Sequence, residues 1–202
     1  PAAFLKVFEK AAQQSDEIIC LTLSRELSAA NNSAHIAKEE ARGSIPWVTV
    51  TIVDTRTAGP AEGLIALEAA RMAMQGSSVS AILAAVTSAT QHVYLMAYLE
   101  TLEYVSRSGR VPRIGKWLGQ LLGFKPIFEL AQGHISLRER PRKRSRAMER
   151  IVSLMQQRIG EQSCRVVIMH ASAPMEAVIL AAKIAQTIEP VELITAEFTP
   201  VI

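Results

Sequence analysis

The strongest constraint on the fold comes from an apolar run that ends at Ser24 and is followed, four residues later, by Ser28 and a helical pattern. This pattern predicts a buried strand over 16–24, a turn, and a helix over 28–42. Backbone N–H groups at a helix start have no intrahelical acceptor, so Ser28 lies where a carboxylate or a phosphate can bind. The alternative is that Ser28 only caps its helix.

The alternation of strand and helix continues along the first half of the chain. A Val-, Thr- and Ile-rich stretch predicts a strand over 47–54, and helical spacing predicts helices over 61–75 and from Ser77 or Ser78 to Gln91. Strands that are apolar almost throughout are typical of a parallel sheet with both faces covered. The predicted class is therefore α/β, with a parallel sheet covered by helices on both faces.

The pattern changes from about residue 92. Two strand-like runs flank Ala131-Gln132-Gly133, which predicts a hairpin and hence a second α+β domain containing that hairpin. We predict an α/β domain over 1–91 and an α+β domain over 92–202. The chain starts at Pro1 without a methionine and stops directly after a strand-like run, so we expect missing segments at both ends. The other elements expected in this half are strands over 92–99, 165–170 and 191–198, and helices over 112–122, 141–159 and 174–187.

The composition excludes several classes of protein. The chain has 202 residues, 49% of them hydrophobic and 20% charged, which is typical of a globular protein. Neither a membrane-spanning run of about 18 apolar residues nor a secretion signal is evident. Cys20 and Cys164 lie in separate apolar runs, which favours reduced thiols and a cytoplasmic location over a disulfide or a metal site.

The positive charge is concentrated in one segment, although the net charge is only +3. Aromatic residues are scarce near this segment, so an acidic or phosphorylated partner fits as well as nucleic acid does. The basic residues of the segment are Arg138, Arg140, Arg142, Lys143, Arg144 and Arg146.

No catalytic centre of a known type is evident: the nucleophile elbow, both glycine-rich phosphate loops and zinc spacings are all missing. Polar residues instead follow the first two strands, at the sheet edge where such folds bind ligands. Other candidates are Arg110 and Arg113 beside a turn and His170 at a strand end. Some of the candidates also have a structural interpretation: Asp54 as a helix-side or turn cap, Arg110 and Arg113 as solvated side chains, and His170 as a hydrogen bonder. The candidate ligand groups are Ser24, Ser28, Asp54, Thr55, Thr57, Arg110, Arg113 and His170.

Read together, these segments resemble the DegV family of bacterial fatty-acid-binding proteins, in order and along nearly the whole chain. The most specific block is Thr101-Leu102-Glu103-Tyr104 with Gly109-Arg110 and Lys125-Pro126-Ile127, which is similar to the family's Thr-Leu-Glu-Tyr-Leu, Gly-Gly-Arg-Ile and Lys-Pro-Ile. Further similar segments are Pro1 to Phe4, Ser24 to Ala34, Val53-Asp54-Thr55, Glu68 to Arg71, and Gly133 with Arg142, Arg144 and Ala147 to Arg150.

The resemblance implies a two-domain α/β protein (the EDD fold) in which one long-chain fatty acid lies in an interdomain tunnel. Hydroxyl groups would hold its carboxylate for phosphorylation to an acyl-phosphate by the ATP-binding subunit of a fatty acid kinase, which feeds phospholipid synthesis. By this resemblance Ser28 and Arg110 bind the carboxylate, and Arg142 and Arg144 face the kinase. Ser24, Asn31 and Thr55 would lie near the head group. The implied protein is a non-catalytic subunit that needs no metal or cofactor and binds no nucleic acid.

The chain departs from the family pattern directly after the key serine, where Ala29, Ala30 and Asn31 replace Gly-Thr-Tyr. Two other functions are compatible with the same residues. A phosphotransferase-related subunit of the sugar or dihydroxyacetone kinase type would use His170 as its reactive histidine. A nucleic-acid-binding module would use the basic residues between Arg138 and Arg146.

Overall fold

The computed structural model describes residues 1–107 and 123–198. The predicted helix over 112–122, together with Arg110 and Arg113, lies outside these residues. The helices are α1 (Ala2–Ala11), α2 (Ala30–Ser44), α3 (Gly59–Met74), α4 (Val79–His92), α5 (Glu103–Arg107), α6 (Arg144–Ile159) and α7 (Pro174–Thr187). The strands are β1 (Glu17–Thr22), β2 (Thr49–Asp54), β3 (Leu95–Tyr98), β4 (Ile127–Ala131), β5 (His134–Glu139), β6 (Arg165–His170) and β7 (Glu192–Glu197).

The chain forms two compact units, the first made of Pro1–Tyr94 with Leu130–His134 and the second of Leu95–Glu129 with Ile135–Ile202. The predicted domain boundary between residues 91 and 92 stays a prediction.

The first unit is built on the parallel pair β1–β2, in which Glu17 is opposite Thr49 and Thr22 is opposite Asp54. Strand side chains alternate between the two faces of a sheet, and each face of this pair is covered by two helices. On one face Phe8 of α1 and Ala37 and Ala41 of α2 pack against alternate strand residues. The other face is covered by α3 and α4, whose buried residues are Ile65, Ile82 and Val86. The predicted α/β class is confirmed.

The second unit contains a three-stranded sheet in the order β3-β4-β5 and a separate parallel pair β6–β7. Strands β4 and β5 form the predicted hairpin around Gln132 and Gly133. Helix α6 packs on this sheet through Ala147, Ile151 and Leu154, while Val152 of α6 joins the core that α7 forms with β6 and β7. One long amphipathic helix therefore serves two cores of the second unit.

Several element boundaries differ from the sequence prediction, and three of them have a clear local reason. Strand β1 ends at Thr22 because the next residues turn, and the N–H of Ser24 donates to the carbonyl of Thr57 at 2.7 Å. Helix α2 begins at Ala30, two residues later than predicted, because Ser28 stays outside the helix and its Oγ accepts the N–H of Ala30 at 3.1 Å. Helix α6 begins at Arg144 rather than at residue 141, because Lys143 before it has an extended backbone.

Over residues 1–107 and 123–198, the helices are all too short or too polar to span a lipid bilayer.

Candidate functional site

The ends of β1 and β2 form a buried cluster of hydroxyl groups, which we call the hydroxyl cluster: Thr22, Ser24, Thr55 and Thr57. Each of these residues is at most 3% exposed. They lie together because the carboxyl ends of paired parallel strands meet at one edge of the sheet. The carbonyl of Thr22 accepts both the N–H of Thr55, at 3.0 Å, and the Oγ1–H of Thr55, at 2.9 Å. The four residues of the hydroxyl cluster are therefore polar but uncharged.

The loop Ser24–Ser28, which we call the serine loop, is organised around Ser24. The Ser24 carbonyl accepts the N–H groups of Leu27 at 2.9 Å and Ser28 at 3.2 Å, and its Oγ accepts the N–H of Glu26 at 3.3 Å. Ser24 is fully buried whereas Ser28 is half-buried. The position of Ser28 thus depends on Ser24.

Unpaired donors surround Ser28 at the start of α2. The Ser28 Oγ accepts the N–H of Ala30, and its own hydroxyl hydrogen is not donated to any other described residue. Within residues 1–107 and 123–198, the N–H groups of Asn31 and Asn32 also have no acceptor. A helix start with free N–H groups and a positive dipole end favours an anion. Ala29 rather than Ser28 occupies the cap position of α2, but the Ser28 hydroxyl accepts the first N–H of the helix and still has a proton to donate.

The two threonines that follow β2 differ in what their hydroxyls do. The Thr55 hydroxyl donates to the Thr22 carbonyl, but the buried Thr57 Oγ1 has no hydrogen-bond partner among the described residues. A buried polar atom without a partner is costly, and such atoms in native structures often mark a bound water or a ligand. The sequence prediction places Thr55 near the head group, whereas the buried hydroxyl that can still form a hydrogen bond belongs to Thr57.

Two further residues beside the cluster have structural roles. Asn31 is 9% exposed, and its Nδ2 donates to the Thr22 Oγ1 at 2.9 Å. Asp54 accepts the N–H of Arg56 through Oδ1 at 2.9 Å, and its Oδ2 lies 3.6 Å from Nε of Arg25. The turn-cap interpretation of Asp54 therefore fits the structure better than that of a free ligand group.

An apolar cleft of about 560 Å³ lies along β1 in the first unit. Ile19 and Leu21 line one side, and alanines 66, 69, 70 and 73 of α3 line another. Ser28 is not among its lining residues, so this cleft is separate from the serine loop.

The predicted partner-docking arginines in the second unit differ in how their charge is balanced. Arg144 donates to Glu100 at 3.0 Å and to Glu176 at 2.9 Å. Hydrogen bonds from Arg144 and from Lys125 lower the pKa of Glu100 below its ordinary value. Arg142 lies 5.0 Å over the ring of Phe124 and has no acidic partner among the described residues. The free positive charge is therefore at Arg142 rather than at Arg144.

The basic segment continues into a shallow pocket of about 320 Å³ lined by Glu139, Arg140, Pro141, Arg146 and Arg150. Arg150 pairs with both oxygens of Glu139, and these bonds lower the pKa of Glu139. Arg146 pairs with Glu149 at 3.1 Å. Arg140, like Arg142, has no such partner among the described residues, so the segment keeps a surplus of positive charge.

His170 ends β6, where its Nδ1 accepts the N–H of Ala173 at 3.4 Å. This contact supports the interpretation of His170 as a structural hydrogen bonder. The described residues also include no cluster of three His, Cys, Asp or Glu side chains that could hold a metal ion.

The comparison with known families decides what kind of chain carries this arrangement. The family model for DegV proteins matches residues 1–202. The chain belongs to the DegV family. The predicted resemblance is thus confirmed, and the mixed α/β architecture matches DegV structures.

Curated DegV relatives are longer than this chain. A DegV domain-containing protein from Streptomyces coelicolor is 31% identical over 182 residues, which is 90% of this chain and 63% of the relative. One from Clostridium perfringens is 26% identical over 187 residues, 92% of this chain and 66% of the relative. The chain thus spans just under two thirds of the length of both relatives.

Two solved structures described by their fatty acid binding are similar to the chain. A family member from Thermus thermophilus, described by its fatty acid binding, has a TM-score of 0.87 at 26% identity and covers 96% of this chain and 68% of its own. A protein from Thermotoga maritima whose structure revealed a fatty acid binding function has a TM-score of 0.82 at 25% identity, with coverages of 96% and 67%.

Proposed function

We propose that this DegV protein binds a single long-chain fatty acid and presents its carboxylate for phosphorylation by a fatty acid kinase. The observation that carries the first part is the superposition on the fatty-acid-binding structure from Thermus thermophilus over 96% of the chain. The protein itself would be a non-catalytic subunit, and its ligand would be the fatty acid rather than a cofactor. The interdomain tunnel for the acyl chain, which the family resemblance implies, is part of this proposal.

The serine loop supports a carboxylate site. Ser28 offers a hydroxyl proton, and the N–H groups of Asn31 and Asn32 face no other acceptor among the described residues. Each bond from such a donor to an ionised carboxylate is charge-assisted and so is about twice as strong as a neutral one. Burial of methylenes, at roughly 0.8 kcal/mol each, would supply most of the affinity. The head-group contacts would then set orientation more than binding strength.

Mass spectrometry of the purified, denatured protein tests the binding directly. We expect it to release a long-chain fatty acid in about equal molar amount. A protein that contains no lipid and that also fails to bind added fatty acid would contradict the proposal.

The Ser28→Ala variant tests the role of the serine loop. We expect it to reduce affinity for a fatty acid by about tenfold and affinity for the fatty alcohol of the same length much less, because only the carboxylate is charged. Ser33→Ala, on the same helix but without a side-chain bond to any described residue, is the control. Equal losses for acid and alcohol would remove Ser28 from the carboxylate site.

The basic segment supports docking to an acidic surface of the kinase. Arg142 and Arg140 carry charge that no described acid balances, whereas Arg144 is held by two glutamates. We therefore expect Arg142→Ala to slow acyl-phosphate formation by a purified kinase subunit more than it weakens fatty acid binding. Arg42→Ala removes an exposed arginine of α2 that pairs with Glu39 and serves as the control. Equal turnover for both variants would argue against docking at this segment.

A further inference from the structure

The turn of the β4–β5 hairpin has two residues with positive φ, and it belongs to a different compact unit from most of the hairpin. Gln132 and Gly133 both have positive φ, at 52° and 81°, as in the two-residue turns that match the twist of paired strands. Leu130–His134 belongs to the first compact unit, whereas most of β4 and all of β5 after its first residue belong to the second. The contacts of this turn within the first unit therefore have consequences for the candidate site.

Three hydrogen bonds join the turn to Arg56 and Thr90, which belong to the same first unit. The N–H of Gly133 donates to the carbonyl of Arg56 at 2.6 Å, and Nη2 of Arg56 donates back to the carbonyl of Gln132 at 3.0 Å. The Gln132 Nε2 donates to the carbonyl of Thr90 at 2.9 Å. Arg56 also has a positive φ, of 55°. Two non-glycine residues in a strained conformation thus bond to each other, and such strain persists only where the surroundings require it.

Gly133 lies directly against the residue that organises the serine loop. A Cβ at position 133 would lie 3.3 Å from the Ser24 Oγ and 3.5 Å from Cγ of Glu26. Ser24 is 0% exposed, and its N–H is bonded to the Thr57 carbonyl. It therefore has little room to move away from an added methyl group.

A shift of Ser24 would be passed on to Ser28. The Ser24 carbonyl accepts the N–H groups of both Leu27 and Ser28, so the loop turns around that one residue. The chain of contacts runs from Gly133 to Ser24 and from Ser24 to Ser28, through a fully buried residue.

We propose that Gly133 is a positioning residue, whose missing side chain lets the hairpin turn hold the serine loop with Ser28 in its binding position. The part that concerns the ligand rests on the proposed function, because it takes Ser28 to bind the carboxylate. Gly133 itself touches no ligand and acts through Ser24.

The Gly133→Ala variant tests this inference, and Gly76→Ala is a matched control. Gly76 has a φ of 76°, close to that of Gly133, but a Cβ there would meet no atom within 4 Å. Both variants should lose similar stability from the strained backbone. We expect only Gly133→Ala to weaken fatty acid binding, by about tenfold, and to leave binding of the matching fatty alcohol nearly unchanged. Equal effects of the two glycine variants on fatty acid binding would overturn the proposal.

Hydrogen exchange of the ligand-free protein provides a readout that does not depend on the proposed function. We expect the amides of Leu27 and Ser28 to exchange faster in Gly133→Ala than in Gly76→Ala, since their acceptor is the Ser24 carbonyl. Unchanged exchange at both amides would overturn the positioning role. Faster exchange in a protein that binds no fatty acid would support that role while rejecting the proposed function.

The Arg56→Ala variant tests the same inference if Gly133→Ala does not fold. Arg56 is exposed, and its truncation removes the bond to the Gln132 carbonyl without altering the core. We expect a smaller change in the same direction for fatty acid binding and for exchange at Leu27 and Ser28. No change in either measurement would count against the hairpin turn as the support of the loop.

Discussion

The hydroxyl cluster of the first unit and the ion pairs of the second are two polar regions built on opposite principles. In the first unit, burial dominates: it raises the pKa of Glu62, and it raises the pKa of Cys20 with a further contribution from the charge of Glu62. In the second unit, pairing dominates: hydrogen bonds from arginine lower the pKa of both Glu100 and Glu139. Burial therefore disfavours the charged form of Glu62 and Cys20 in the first unit, whereas ion pairing favours the charged form of Glu100 and Glu139 in the second.

The largest expected effect comes from the buried carboxylate of Glu129 in the second unit, which pairs with two arginines, Arg158 and Arg138. Glu129 is 2% exposed, and its carboxylate is bonded by Arg158 at 2.9 Å and lies 3.4 Å from Arg138. Arg158→Ala would remove the hydrogen-bonded partner of a buried carboxylate and leave it only the ion pair with Arg138 at 3.4 Å, so we expect a loss of about 3 kcal/mol of unfolding free energy. Chemical denaturation monitored by circular dichroism measures it.

The control for Arg158 is Arg146→Ala, which breaks an exposed pair with Glu149. That change should cost less than about 0.5 kcal/mol. Equal losses for the two variants would mean that burial does not distinguish the ion pairs of this unit.

The next largest effect on stability distinguishes the two threonines of the hydroxyl cluster that follow β2. Thr55→Val removes the bond from the Thr55 hydroxyl to the Thr22 carbonyl but keeps the one from the backbone N–H, and it should cost about 1–2 kcal/mol of unfolding free energy. Thr57→Val replaces a buried hydroxyl that has no described partner, so it should change stability by less than about 0.5 kcal/mol or increase it. Thermal denaturation of both variants without ligand compares them.

If Thr57→Val instead costs as much as Thr55→Val, then the Thr57 hydroxyl is bonded in solution. If it leaves stability unchanged but weakens fatty acid binding, then Thr57 belongs to the head-group site.

The smallest effect tests the opposite pKa directions directly. The lowered pKa of Glu100 means that its pairing stabilises the fold above pH 4.5, and that this contribution is lost as the pH falls through the folded pKa. The raised pKa of Glu62 has the reverse sign: its contribution is present below pH 4.5 and is lost as the pH rises through the folded pKa. At pH 7, Glu100→Gln should therefore lower Tm slightly and Glu62→Gln should raise it.

Melting curves at about pH 4 and pH 7 separate the two variants, since both differences should shrink at the lower pH. Shifts of the same sign at pH 7 would contradict the contrast between the two units.

Much of the fold could be predicted from local sequence. The boundaries of β6 and α7 agree with the prediction to the residue, because a run of four apolar residues and a proline at the helix start are strong local signals. The hairpin was also predictable from Gln132-Gly133, since a glycine between two strand-like runs supplies the positive φ that such a turn needs. The start of α2 at Ala30 could not be predicted, because no local rule tells whether Ser28 begins the helix or precedes it.

The site was less predictable, because its decisive contacts join residues far apart in the chain. Sequence placed Ser24 and Thr57 at one sheet edge, but it could not give the bond between them or the free Thr57 hydroxyl. Nothing local links Gly133 to Ser24 across more than 100 residues. The roles assigned to Ser24, Ser28, Asn31, Thr55, Arg142 and Arg144 remain predictions, and Arg110 lies outside the described residues.

The two cysteines have a practical consequence for spectroscopy. Burial raises the pKa of Cys20 and of Cys164, so at neutral pH both remain mostly neutral thiols, which react slowly with alkylating agents. A cysteine introduced at an exposed position would react first. A single fluorophore or spin label could therefore be attached at that position without first replacing Cys20 or Cys164. The label would then report ligand exchange in an otherwise native protein.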